Sequence, residues 1–105
     1  MAIYTTASVS VTSNATPVSL IPPGDKTAYV IRVRSAAAVS ILLWPYQGAT
    51  PGSIPSNAVF ELSAGQALMD ADALGSYMTD AMQEGFAAVL ETGSTAVTVD
   101  VLYRG

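Results

Sequence analysis

The chain has 105 residues, half of them hydrophobic, with no cysteine or histidine and a net charge of −4 from four basic and eight acidic residues. That length supports one domain with a real core, not two. So few Lys and Arg exclude the phosphate-neutralising patches of nucleic-acid binders and the basic segments that hold proteins to anionic lipid.

Ile3, Thr5, Ala7, Val9 and Val11 alternate with Tyr4, Thr6, Ser8 and Ser10, the period-two pattern of a strand with one weakly apolar face. Asn14-Ala15-Thr16-Pro17 ends it. The triplet matches a glycosylation acceptor, but beside a proline it reads as turn chemistry. Residues 1–14 thus form an N-terminal strand or arm, and residues 15–105 a single β-sandwich domain. Val18-Ser19-Leu20-Ile21 is a short strand stopped by Pro22-Pro23-Gly24-Asp25-Lys26, a turn with proline fixing φ ahead of glycine.

Ala28 to Trp44 is the most strongly patterned stretch. Tyr29, Ile31 and Val33 alternate with Val30, Arg32 and Arg34; Val39 to Trp44 resumes as a second apolar run after the small residues Ser35 to Ala38. The spacing predicts a hairpin in which Val39, Ile41 and Leu43 share a face with Tyr29, Ile31 and Val33. Leu42 and Trp44 make the opposite face partly apolar, so a cover over it is expected. A loop of about a dozen residues follows, marked by Pro45, Gly48, Pro51, Gly52 and Pro55; loops of that length are functional or mobile. Trp44 and Tyr46, where the chain enters it, read either as a plug on the core or as interface anchors.

Val59 to Leu62 predicts a strand with Phe60 and Leu62 inward, and Ser63-Ala64-Gly65 a turn. From Gln66 to Gly85 the pattern changes: Leu74, Met78 and Met82 recur every four residues, which predicts one short helix around 76–84, with Ser76 as N-cap and Gly85 as its stop. Phe86 to Glu91 and Ala96 to Tyr103 are strands. In the latter Val97, Val99, Val101 and Tyr103 face one way and Thr98, Asp100, Leu102 and Arg104 the other. The sum is an all-β chain, an antiparallel β-sandwich or jelly-roll-like barrel of about eight strands.

Catalytic constellations are missing from the sequence. Asp70-Ala71-Asp72 lacks the further oxygen ligands and tight-turn glycine of a calcium loop. Asp80 and Glu84, one helical turn apart, do not face each other across a cleft as glycosidase carboxylates do. Serine has no histidine to activate it, and Lys26 is the single candidate amine base. No glycine-rich phosphate loop is present. The expectation is a protein with no enzymatic activity, no metal and no cofactor. Arg32 and Arg34 are expected to pair with Asp100 or Glu61 across a sheet, or to meet an acidic partner.

Mean hydropathy is +0.42, yet no apolar run approaches the roughly 18–20 residues of a membrane helix. Only 11% of residues are charged. Such a surface fits a subunit that buries its exterior against neighbours, or a sandwich with a Ser/Thr exterior. Met1 to Thr6 lacks the basic and apolar regions of a secretory signal.

Val18-Ser19-Leu20-Ile21-Pro22, the basic-studded run Tyr29 to Arg34 with its apolar successor, Phe60-Glu61-Leu62-Ser63-Ala64-Gly65, and the closing pair within Phe86 to Tyr103 follow one another in order. From Thr16 onward this order resembles the small β-sandwich virion proteins of tailed bacteriophages, the head decoration (cement) proteins and related minor structural proteins. Met69 to Gln83 departs from it, being longer and more helix-like than a simple turn. The resemblance implies a protein made in the host cytoplasm and carried on the virion. There it would assemble with itself as a trimer, bind the outer capsid lattice and bridge copies of the major capsid protein. The residues expected at such an interface are Ile3, Tyr4, Arg32, Arg34, Trp44 and Tyr46, with residues 2–11 leaving the domain to pair with another chain's sheet. The alternatives are a carbohydrate- or receptor-binding sandwich with Trp44 and Tyr46 as stacking platform, and a tail or baseplate subunit.

Overall fold

The computed structural model describes residues 4–24, 28–56, 59–70 and 84–104. These contain eight strands: β1 (Tyr4–Val11), β2 (Val18–Ile21), β3 (Ala28–Val33), β4 (Ile41–Tyr46), β5 (Phe60–Leu62), β6 (Ala67–Asp70), β7 (Gly85–Leu90) and β8 (Val97–Arg104). They form two four-stranded sheets, here sheet A in the order β1-β8-β3-β6 and sheet B in the order β2-β7-β4-β5, with antiparallel neighbours throughout. β1 pairs with β8, β2 with β7, β3 with β6 and β4 with β5. That is the pattern of one long antiparallel ribbon folded on itself and rolled, so that alternate pairs fall in opposite sheets. This is the jelly-roll arrangement of a β-sandwich.

Every second side chain of each central strand points between the sheets. Val97, Val99 and Val101 of β8 and Tyr29, Ile31 and Val33 of β3 meet Ile41 and Leu43 of β4 and Phe86, Ala88 and Leu90 of β7 in one core. A register shift between Ser19 and Ile21 of β2 accompanies the burial of both Leu20 and Ile21, which strict alternation would send to opposite faces.

The predicted hairpin between β3 and β4 does not form. β3 hydrogen-bonds to β8 and β6, while β4 hydrogen-bonds to β7 and β5 in the opposite sheet. The chain changes sheets over residues 34–40, where the Arg34 amide donates to the Thr98 carbonyl and the Glu91 amide to the Ser40 carbonyl. Ile31 and Leu43 do share a core, but across it. Two strands paired in one sheet and two strands facing each other between sheets bury the same alternate residues, so periodicity does not separate the cases.

Within the stretch from Gln66 to Gly85, Ala67–Asp70 is strand β6, held by β3 in a register that sets Ala67 opposite Arg32 and Leu68 opposite Ile31. Ala, Leu and Met are good helix formers, and here the ladder to β3 overrides that local preference. The helix expected around 76–84 lies outside the described residues, apart from Glu84. Gly85, expected as its stop, is the first residue of β7, opposite Tyr46. The Ser63–Gln66 turn is as expected. Gly65 has φ +79°, its amide donates to the Val33 carbonyl, and the Ser63 amide donates to Gln66 Oε1 at 2.7 Å. Leu62 faces the core, but Phe60, on a three-residue edge strand, is 52% exposed.

Candidate functional site

The two outer faces differ. On sheet B, Trp44 and Tyr46 of β4 and Ala87 and Val89 of β7 form a second buried cluster, joined by Leu42 and by Val59 from the end of the long loop. Consequently β7 is buried on both faces. Trp44 is 2% exposed, and the Tyr46 hydroxyl shares a 2.7 Å hydrogen bond with Ser19 Oγ. The expected cover over Leu42 and Trp44 is therefore present. The same burial removes the stacking platform: neither ring offers a free face to a sugar or a partner. Pro45 extends β4 beyond the point where its ladder to β5 ends, at Leu43 opposite Phe60. There a missing amide donor costs nothing on that side.

Sheet A is open. Its register sets Ser8, Asp100 and Arg32 in one cross-strand row and Thr6, Leu102 and Val30 in the next, under a concavity of about 550 Å³. Val30 and Leu102 are half-buried and supply an apolar floor. At one end Tyr4 is 59% exposed, and the Arg104 guanidinium carbon lies 5.8 Å from its ring centroid, a cation–π contact. Arg104 Nε is buried and has no hydrogen-bond partner among the described residues.

Asp100 organises the polar row. Arg34 Nε donates to Oδ2 at 2.9 Å and Arg34 Nη2 to Oδ1 at 3.0 Å, a two-point grip. Ser8 Oγ donates to Oδ1 at 2.6 Å. The hydrogen bonds from Arg34 and then Ser8 hold the Asp100 carboxyl down to about 2, against an ordinary 3.8, and the same contact raises Arg34. A carboxylate held this low, with its oxygens occupied, is a poor proton carrier at neutral pH; it fixes the row's geometry. Arg32 stands directly opposite Asp100 in register and is exposed; its charge helps to hold Asp100 low, while its guanidinium makes no hydrogen bond or salt bridge among the described residues.

Of the residues expected at an interface, Arg32 and Arg34 lie together beside Asp100 on the outer face of sheet A, and Tyr4 lies at the other end of that face, beside Arg104. Trp44 and Tyr46 lie on the far side of the molecule, and Ile3 is outside the described residues. The cross-sheet pairing of Arg34 with Asp100 is as expected. Glu61, the other candidate partner, is on β5 of sheet B. Ser8, Thr6, Val30 and Leu102 were not singled out by sequence reasoning, although their outward positions follow from the alternation of β1, β3 and β8. β1 is laddered to β8 over all eight of its residues, with Val11 fully buried. It completes sheet A, and does not leave the domain as a free arm.

No group of His, Cys, Asp and Glu able to hold a metal comes together among the described residues. The chain matches no protein-family model and no curated protein.

Proposed function

We propose that this chain is a structural subunit of a tailed-bacteriophage virion. It acts as a decoration protein that seats on the outer capsid lattice and bridges neighbouring major capsid subunits. The observation that carries the reading is the asymmetry of the sandwich. The outer face of sheet B buries Trp44 and Tyr46 in a cluster that Val59 packs against, while sheet A presents two ordered cross-strand rows, an apolar floor and an exposed Arg32 beside Asp100. Such a face has the make-up of a protein contact: an apolar centre with a polar rim that carries arginine. Jelly-roll sandwiches recur in viral capsids, and the paired Arg34 and Asp100 keep the rim in one geometry. The work is done by contact area and not by chemistry.

The test is to purify virions of the phage that encodes the chain and separate heads from tails. The expected result is the protein on heads, at a fixed ratio to the major capsid protein, with Arg32→Glu abolishing rebinding to heads stripped of it. Recovery with tails alone assigns it to the tail or baseplate, and absence from virions overturns the proposal.

A further inference from the structure

Sheet edges present unpaired amides and carbonyls, and proteins blunt them with shortness, bulges, charge or proline. Among the described residues the two sheets have four edges, and three of them are blunted. β5 has three residues, β6 and β2 have four each, and β2 carries a register shift. β1 differs on every count. It runs eight residues in unbroken register with β8, and Tyr4-Thr5-Thr6-Ala7-Ser8-Val9-Ser10-Val11 contains no charge, proline or glycine. Six of the seven residues from Tyr4 to Ser10 are exposed, and Val9 is half-buried.

We propose that β1 pairs with β1 of a second copy of this chain, antiparallel, about a two-fold axis through Ala7. The occupant follows from charge. Two-fold pairing sets a strand against itself, so a charge near the axis meets its like, and this strand carries none. The register follows from alternation. Paired residues point to the same face, so even-numbered residues must oppose even-numbered ones. A run from Tyr4 to Ser10 centred on Ala7 sets Tyr4 against Ser10, Thr5 against Val9 and Thr6 against Ser8. Ala7, the smallest side chain of the run, meets its own copy. The product is a closed pair with one continuous eight-stranded sheet. Because β1 of each copy is used up, the contact does not propagate into a fibre. The two open faces join edge to edge, with an Arg32 on either side of a central strip of Thr6 and Ser8 hydroxyls. This is a two-fold assembly in place of the trimer implied by the phage resemblance, and it does not depend on the virion role.

Sedimentation of the full chain from low to high micromolar concentration should show a species of twice 10.8 kDa. Ala7→Lys and Ala7→Asp should each be monomeric where the wild type is dimeric, and an equimolar mixture of the two should recover the dimer mass. Amide exchange should show β1 protected in concentrated wild-type protein and exposed on dilution, which decides the matter if either variant fails to fold. A wild-type monomer at high micromolar concentration, a trimer, or dimers of both single variants would overturn the proposal. A dimer that is absent from virions upholds the pairing and removes the virion reading; a monomer found on heads does the reverse.

Discussion

The rings of Tyr29 and Phe86 lie 4.9 Å apart, centroid to centroid, and are tilted by 50°. Tyr29 belongs to β3 of sheet A and Phe86 to β7 of sheet B, so this aromatic pair spans the sandwich. Tilted ring pairs at this distance contribute about 0.5–1.5 kcal/mol beyond the area they bury. Phe86→Leu should therefore destabilise the domain by about that amount, and Phe86→Ala by about 3–5 kcal/mol through the cavity it leaves. Urea midpoints with unchanged slopes would check both; a neutral Phe86→Ala would refute the inter-sheet contact.

Trp44 separates two roles by the kind of damage its loss causes. Buried in the outer cluster of sheet B, Trp44→Ala should cost about 3–5 kcal/mol of stability. Tyr46→Phe, which removes the partner of Ser19 Oγ, should cost about 1 kcal/mol. If Trp44→Ala kept full stability and lost only partner binding, the ring would be a contact residue after all.

Asp100 predicts an acid-range effect with a definite sign. Its carboxyl titrates near 2 in the folded protein against an ordinary 3.8, so its contribution is complete above about pH 4. It is lost as pH falls towards 2. Asp100→Asn should melt below the wild type at neutral pH, and the gap should close between pH 4 and pH 2. The pair is exposed, so the gap should also narrow with added salt. A difference independent of pH would place the effect elsewhere.

Gly85 and Gly65 are glycines for different reasons. A methyl group at Gly85 would collide with the Ile21 carbonyl oxygen and come within 2.7 Å of the Pro23 nitrogen, all of it backbone. At Gly65 there is open space, but the backbone is left-handed, with φ +79°. Gly85→Ala should cost about 1–3 kcal/mol by overpacking the β2–β7 junction. Gly65→Ala should cost about 1–2 kcal/mol through strain alone. Gly65→Asn, a residue that tolerates this conformation, should recover most of the loss at that site. Thermal melts of the three variants would settle the distinction; a neutral Gly85→Ala would show that β2 gives way easily.

Much of this architecture is written locally. Alternation in Val97 to Arg104 identifies β8 and its inward valines, and the same reading assigns Tyr29, Ile31 and Val33 to the core and Arg32 and Arg34 to the surface. The Ser63–Gly65 turn follows from composition, and the match of Arg34 to Asp100 from outward parity and opposite charge. These are properties of a strand and its nearest neighbours in sequence. Which strands pair is not such a property. Ile31 and Leu43 bury the same alternate faces whether β3 and β4 lie side by side or across the core. Only the ladders to β8 and β7, formed by residues far along the chain, decide between the two. Ala67–Asp70 becomes a strand because β3 offers it a ladder, against the helix preference of its residues. Trp44 is hidden and Arg32 is open because Val59 returns over one sheet, while nothing among the described residues returns over the other. Coverage of a face depends on where a distant segment lands, and that is set by the free energy of the whole fold.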